Sequence, residues 1–398
     1  MLKTHTLNQT NTFQLVAKTI SGLENSVAKE LEKLGATKIE ILHRAVSFEG
    51  DQAIMYKANY CLRTALRILK PIGNFGARDE SSLYKQIQKF DWSKFFSIDQ
   101  TFAIDAVVSG DIFTHSQYAA LKVKDAIVDQ FRDRFGSRPS VNTYMPDFRM
   151  NVHITNERVT LAADSSGESL HKRGYRKMVD KAPINEVLAA GLIQLTGWNR
   201  DSNFVDCMCG SGTIPIEAAM YAMKIPAGYY RSQFGFMRWS DFDAQLWQTV
   251  KQVADTEICE FDHEIIASDR SGKAIDIARG NIQNAHLQHD IKVIKKNMEE
   301  LIPPEGGGIM LINPPYGERL EESDIISLYQ TIGNTLKKNF KGFQAWAVSS
   351  DLQALKYIGL KPSRKIPIYN GPLECRLVCF DIFDGSYKDK KARENKNL

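Results

Sequence analysis

No run of eighteen consecutive apolar residues occurs anywhere in this 398-residue chain, so no membrane-spanning helix is expected. Residues 1–12 are polar where a secretory leader needs an apolar core, so no leader is expected either. Cysteine is scarce: Cys61, Cys207, Cys209, Cys259, Cys375 and Cys379 form no paired CxxC set, which argues against a disulfide scaffold and supplies no zinc spacing. The eight histidines include no HExxH or similar pattern. The expectation is therefore a soluble cytoplasmic protein with reduced thiols and no metal. Net charge is small, +4, and does not by itself single out an anionic partner. Its distribution says more: residues 1–180 hold 25 Lys and Arg against 20 Asp and Glu, whereas residues 181–398 hold 26 against 27. A basic excess in the first half suits phosphate contacts, and it equally suits an ordinary solvated surface.

What is present is patterned. Residues 13–20 have strand composition, 22–34 carry apolar residues at helical spacing, and 39–42 with 45–48 read as a hairpin, giving a first small α/β unit. A second follows: 51–69 is helical in pattern, 101–108 reads as a strand, 116–135 as a long helix ending at Gly136, and 149–163 as a hairpin turning at Asn156-Glu157. Asp164-Ser165-Ser166-Gly167 then breaks the pattern and marks a boundary. Beyond Ile184, apolar runs at 203–207, 264–269, 291–294, 309–312 and 344–348 alternate with helical patterns, the signature of a parallel, doubly wound sheet. Residues 387–398, with Lys388, Lys390, Lys391, Arg393 and Lys396, lack apolar character and are expected to be a disordered basic tail.

Residues 203–213 read as a strand, a glycine-bearing turn and the start of a helix. Gly210 and Gly212 let the backbone come close to a ligand and accept positive φ. The dinucleotide pattern GxGxxG is absent, and Asp269, the next acidic strand end, lies 63 positions after Asp206, far beyond the roughly 20 expected for a dinucleotide site. An acid ahead of the glycines suits a cationic, amino-acid-bearing ligand. S-adenosylmethionine is one, with Asp206 near its ammonium, Asp269 on its ribose hydroxyls, and Cys209, Gly210, Gly212 and Thr213 forming the turn around it. A tight turn in an ordinary α/β sheet is the bland alternative.

The run 309–312 leads straight into Asn313-Pro314-Pro315-Tyr316. Proline fixes φ and removes a donor, so the Asn313 side-chain oxygen and the Pro314 carbonyl can act as paired acceptors for a planar amino group. Exocyclic amines of guanine and adenine are poor nucleophiles because their lone pair is delocalised; two acceptors holding both hydrogens favour the geometry that frees it. Tyr316 would stack on the base, which must be unpaired or flipped out. A plain proline-containing loop is the alternative.

With both motifs in place, further segments carry a family resemblance. Leu170-His171-Lys172-Arg173-Gly174-Tyr175-Arg176 followed by Ala182-Pro183-Ile184-Asn185-Glu186 resembles the junction of THUMP-domain RNA methyltransferases. Ile225-Pro226-Ala227-Gly228 through Arg231, Phe234, Phe236, Trp239 and Trp247 resembles an insertion of the large-subunit rRNA guanine-N2 methyltransferase family. The resemblance implies a ferredoxin-like piece over 1–65, a THUMP domain over 66–165 (from as early as 45), a Rossmann-like class I methyltransferase domain over 166–386, structured RNA as partner, and S-adenosylmethionine as cofactor. It also implies adenine contacts at Asn297 and Met298. Many relatives carry Asp where Asn297 stands, so a backbone contact could replace the side-chain one.

Lys172, Arg173, Tyr175 and Arg176 form a basic, aromatic stretch suited to RNA phosphate contact and stacking, or to the cofactor, with a solvated linker as the alternative. Phe234, Phe236, Trp239 and Trp247 could stack on RNA or cover the catalytic domain. The CxC at 207–209 reads as core thiols. The reading that results is guanine-N2 methylation of large-subunit rRNA. Its rivals are guanine-N2 methylation of tRNA, adenine-N6 methylation of DNA, and a non-catalytic RNA-binding assembly factor.

Overall fold

The structure, a computed structural model, describes residues 12–178, 183–315 and 322–383. The expected tail and Tyr316 lie outside the described residues. Among those described, the helices are α1 (Glu24–Leu34), α2 (Gln52–Cys61), α3 (Glu80–Ile87), α4 (Ser116–Phe135), α5 (Glu186–Thr196), α6 (Thr213–Ala222), α7 (Ala244–Asp255), α8 (Gly272–Asn284), α9 (Glu322–Asn339) and α10 (Ala354–Tyr357). None is long and apolar enough to cross a membrane. The chain divides into two compact units, one from the described parts of 1–19, 27–172 and 231–256, the other from those of 20–26, 173–230 and 257–398.

The first unit is built on one sheet of β1 (Phe13–Thr19), β2 (Thr37–Leu42), β3 (Ala45–Gly50), β4 (Ala65–Gly76), β5 (Phe102–Ser109), β6 (Phe148–Thr155) and β7 (Arg158–Asp164), in the order β2-β3-β1-β4-β7-β6-β5. The two small α/β units read from the sequence thus share a sheet, joined where β4 pairs antiparallel with β1 on one side and β7 on the other. β4 also corrects the expected helix over 51–69. Asp51 caps α2 by accepting the Ile54 N–H at 2.9 Å, and the helix ends where Leu62 turns extended at φ −64°, ψ 122°. The Thr64 N–H then goes to the Glu30 carboxylate at 3.1 Å instead of to the preceding turn. Ala65, Ile68 and Leu69 are buried in a central strand; a short apolar run covered on both faces fits helix and strand periodicity alike.

The stretch Arg231–Thr256 lies inside the span expected for the methyltransferase domain, yet it packs with the first unit. Phe234, Phe236 and Trp247 are buried there. Phe236 stacks on Tyr56 with centroids 4.4 Å apart, and Trp247 meets Tyr60 edge-on at 5.4 Å. These rings are core of the first unit and not exposed stacking platforms.

The second unit contains β8 (Asn203–Asp206), β9 (Ile265–Asp269), β10 (Ile291–Lys295), β11 (Gly308–Ile312), β12 (Phe343–Ser349), β13 (Arg364–Asn370) and β14 (Leu373–Asp381), ordered β10-β9-β8-β11-β12-β14-β13. β8 to β12 run parallel, and β14 pairs antiparallel with both β12 and β13. This is the expected doubly wound sheet, extended by an antiparallel hairpin that the periodicity did not single out. β8 is buried at all four positions, its polar ends Asn203 and Asp206 included, and Ile309, Met310, Leu311 and Ile312 of β11 are buried too, which is why β11 reads as a continuous apolar run. From β8 the chain winds outward through β9 and β10, then returns to lay β11 on the other side of β8. A ligand crevice opens at such a reversal, outside the carboxyl ends of the strands.

Trp247→Ala is expected to destabilise the first unit by about 3–5 kcal/mol, the usual result of deleting a buried Trp. Native-state hydrogen exchange of the β4 amides measures it; a change below about 1 kcal/mol would mean that the 231–256 stretch merely leans on the surface.

Candidate functional site

Asp206 ends β8 with 1% of its surface exposed. Its Oδ1 accepts the Met208 N–H at 3.0 Å, while Oδ2 is buried and has no hydrogen-bond partner among the described residues. Burial pushes this carboxyl up to about 8; the Met208 N–H opposes the shift and the charge of Asp269 adds to it. Such an oxygen is costly to leave unpaired and is poised for a cation or donor.

The turn after β8 is held by backbone bonds. The Cys209 N–H donates to Ser268 O at 3.0 Å, and the Gly212 N–H to Cys209 O at 2.8 Å. Gly210 and Gly212 sit at φ +52° and +83°, as the turn demands. A Cβ on Gly212 would stand 3.2 Å from the Ala278 Cβ of α8, so glycine also permits the close approach. The Gly210 N–H donates to Asp269 Oδ2 at 3.0 Å, and Asp269 Oδ1 accepts the Ser271 N–H at 2.9 Å. Each carboxylate oxygen has a second lone pair, so Asp269 keeps acceptor capacity. Cys207 and Cys209 are buried, and burial pushes both thiols well up, so they stay protonated core residues. Asn297 lies exposed beyond β10 with its amide donating to Glu300 at 3.2 Å, whereas the Met298 side chain is buried in the core cluster with Val205 and Met310.

At the neighbouring strand end, Met310 is level with Val205, so Asn313 follows β11 at the same sheet edge where Asp206 ends β8. Asn313 Oδ1 is buried with no hydrogen-bond partner among the described residues, and Pro314 is buried. One strand thus offers an unpaired acid oxygen and the next an unpaired amide oxygen.

The junction stretch departs from expectation. Arg173 and Tyr175 are each 1% exposed and converge on Glu217 of α6, itself fully buried. Arg173 Nε lies 3.3 Å from Glu217 Oε1, and the Tyr175 hydroxyl donates to the same oxygen at 3.0 Å. Burial pushes the Tyr175 phenol well up, so it remains a donor. Arg176 donates to Thr213 Oγ1 at 2.6 Å and to Ile184 O at 2.9 Å and pairs with Glu186 at 3.2 Å, which fixes the first residue of α6. Arg173, Tyr175 and Arg176 therefore brace the turn from within, and burial keeps Arg173 and Tyr175 off the surface where RNA would be met. Of the four, Lys172 keeps an exposed head, paired with Glu168. Glu217 escaped the sequence reading, although a lone carboxylate in the apolar run Thr213-Ile214-Pro215-Ile216-Glu217-Ala218-Ala219-Met220 signals a buried basic partner.

The RMKL-like methyltransferase domain matches residues 173–379, the THUMP domain 77–164 and the RlmL ferredoxin-like domain 14–69. The chain is 37% identical over 364 residues to the candidate RNA methyltransferase slr0064 of Synechocystis sp., covering 91% of this chain and 95% of that one. It is 39% identical over 373 residues to the ribosomal RNA large subunit methyltransferase K/L of Syntrophotalea carbinolica, covering 91% of this chain but 52% of that protein, so it spans about half its length. The crystal structure of SMU.472, a candidate methyltransferase complexed with SAH, superposes with a TM-score of 0.84 at 30% identity, covering 94% of this chain and 99% of that one.

Glu217→Ala would remove the carboxylate that meets the buried Arg173 and is expected to cost about 3–5 kcal/mol of stability, read as a lowered denaturation midpoint of the second unit. Unchanged stability would mean that Arg173 reaches water and would return it to the surface cations.

Proposed function

The chain belongs to the RMKL-like methyltransferase family, and from that membership we propose that it transfers a methyl group from S-adenosylmethionine to the exocyclic N2 of a guanine in large-subunit, 23S-type rRNA. At the coarser level it is an S-adenosylmethionine-dependent RNA methyltransferase of the K/L type. The observation that carries the reading is the pair of unsatisfied buried oxygens, Asp206 Oδ2 and Asn313 Oδ1, at the reversal point of the sheet.

The residues fit the cofactor. The free Asp206 oxygen would take the methionine ammonium, and the spare lone pairs of Asp269 the ribose hydroxyls. The turn from Cys209 through Gly210 and Gly212 to Thr213 would pass close to the ligand, and Asn297 with the Met298 backbone would border the adenine. When bound, S-adenosylmethionine supplies a sulfonium methyl and leaves as S-adenosylhomocysteine. The chain's own part is to hold the amine. Asn313 Oδ1 and the Pro314 carbonyl accept its two hydrogens and free the nitrogen lone pair, Pro315 stiffens the loop, and Tyr316 stacks on the base. The nitrogen lone pair forms the new N–C bond as the S–C bond breaks, and the methylated amine then gives up one proton to water; proximity and orientation supply most of the acceleration, with no strong general base required.

Two features favour RNA: the THUMP match over 77–164 and the basic excess of residues 1–180. Lys172 stays a proposed phosphate contact. The working domains on this reading are 1–65, 66–165 and 166–386, with 387–398 as a tail.

Methyl transfer from labelled cofactor to total RNA and DNA from cells lacking this gene, followed by nucleoside mass analysis of separated rRNA, tRNA and DNA, tests the substrate. Label in N2-methylguanosine of large-subunit rRNA is expected. Label in tRNA or in DNA adenine would replace the proposed target, and none in any fraction would favour an assembly factor. Asn313→Ala in the same assay should lower the rate by about a hundredfold or more with SAH binding nearly intact; a near-normal rate would sink the amine-acceptor role.

The raised Asp206 carboxyl makes cofactor binding pH-dependent. Below about 8 the free protein carries this proton, and an arriving ammonium must displace it. SAH affinity should therefore rise by up to about tenfold per pH unit between pH 6 and 8 and then level off. Calorimetry in buffers of different ionisation enthalpy should show proton release that fades over the same window; a pH-independent affinity without proton release would remove Asp206 from the ammonium site.

A further inference from the structure

We propose that Asn281 is a positioning residue for the cofactor site, holding the glycine turn and the segment that enters the catalytic unit in one fixed relation from its place on α8. The inference rests on the cofactor reading above. Asn281 is buried in the interior of a helix, where an asparagine costs propensity and must be satisfied. Its carboxamide is fully used: Oδ1 accepts from the N–H groups of Lys177 at 3.2 Å and Met178 at 3.1 Å, and Nδ2 donates to Met178 O and Ser211 O, each at 3.0 Å.

Ser211 is the residue between Gly210 and Gly212, the two positive-φ positions of the turn. Left alone, glycines on both sides leave this peptide the freest in the loop. One amide bond from Asn281 pins it, and with it the Gly210 N–H that meets Asp269 at 3.0 Å. The other three bonds pin the backbone of Lys177 and Met178, just beyond the Arg173 to Arg176 brace. Two acceptor lone pairs and two donors in one plane are what this set of partners requires. Aspartate has no donors, and leucine, similar in shape, has neither. The flanking positions of α8 are small to match: Ala278 lies against Gly212, and a Cβ on Gly280 would stand 2.7 Å from the Met178 Sδ. Asn281 acts through Ser211 and Gly210 on the seat of the cofactor.

The test is SAH binding by isothermal titration calorimetry on the full chain, with thermal midpoints and steady-state methylation rates measured beside it, for wild type, Asn281→Asp, Asn281→Ala and Gly280→Ala. Asn281→Asp is expected to weaken SAH by about ten- to a hundredfold and to raise KM for S-adenosylmethionine, with kcat and KM for RNA near wild type. Gly280→Ala displaces only the tip of the Met178 side chain and should leave SAH affinity within about twofold. Asn281→Ala carries the same expectation as the Asp variant if that variant does not fold.

Unchanged SAH affinity in a folded Asn281 variant overturns the proposal. So does equal weakening by Gly280→Ala, a fall in every kinetic constant in step with the thermal midpoint, or failure of both Asn281 variants to fold, since each marks a general structural role. A wild-type chain that binds SAH but methylates no RNA leaves the inference standing and overturns the substrate reading alone; a wild-type chain that does not bind SAH overturns both.

Discussion

Parallel pairing of β8 with β11 is the contact on which the catalytic unit depends. Three residue pairs make it, Asn203 with Gly308, Phe204 with Ile309 and Val205 with Met310. They join the strand where winding begins to the strand where it reverses, and so bring Asp206 and Asn313, 107 positions apart in the chain, to one edge. Side-chain direction alternates along a strand, so a slip of one residue would turn Asp206 to the opposite face. Asn203 fixes the register at the far end of the strands. Its amide donates to Glu305 O at 2.8 Å and Gly307 O at 2.9 Å, and its oxygen accepts the Glu264 N–H at 2.9 Å. The polar site at one end of the sheet is thus aligned by a satisfied polar lock at the other.

Buried polar groups in this unit divide into two kinds, and the division separates support from chemistry. Glu217 is met by Arg173 and Tyr175, and Asn281 by four backbone groups. Each network is closed, and closed networks rigidify. Asp206 Oδ2 and Asn313 Oδ1 are open. Both lie at the strand ends of the sheet reversal, where a ligand would complete them, and a local inconsistency of that kind is expected at a functional site. Arg176 and Glu186 fall between the two kinds. They pair at 3.2 Å, yet Arg176 Nε and Glu186 Oε2 lack hydrogen-bond partners among the described residues, and burial pushes the Glu186 carboxyl up.

The parallel strands were legible because apolar residues cluster in each, without a break in Ile309-Met310-Leu311-Ile312 where both faces are covered, and the glycine turn and Asn313-Pro314-Pro315 because their backbone demands restrict residue type at adjacent positions. Beside the β13–β14 hairpin, three features were not legible, each for a reason of range. β4 carries apolar residues at spacings common to helix and strand, and only its neighbours β1 and β7 decide between them. The rings of 231–256 are compatible with any apolar surface, and Tyr56 and Tyr60, 180 and 187 positions before Phe236 and Trp247, select the one they meet. The basic stretch at 172–176 looks solvent-facing because its carboxylate partners, Glu186 and Glu217, lie in other segments; local sequence reports charge, whereas burial depends on the partner.

That reassignment changes what the charge distribution means. Arg173 and Arg176 contribute to the basic excess of residues 1–180, but their charges are met by Glu217 and Glu186, which are counted in the other half. Removing these internal pairs narrows the contrast between the halves, so part of the apparent asymmetry is core electrostatics that no phosphate can feel. Binding to an anionic polymer scales with the cations that can displace counterions. Any phosphate affinity of residues 1–180 must therefore come from exposed side chains such as Lys172 and Arg78, the latter 83% exposed beside Glu157. Such heads are mobile, screened by salt and individually weak. On the proposed function, selectivity for one nucleotide would fall to the Asn313 edge, where a single flipped base would meet fixed acceptors, and the cationic surface would supply residence on RNA without reading sequence.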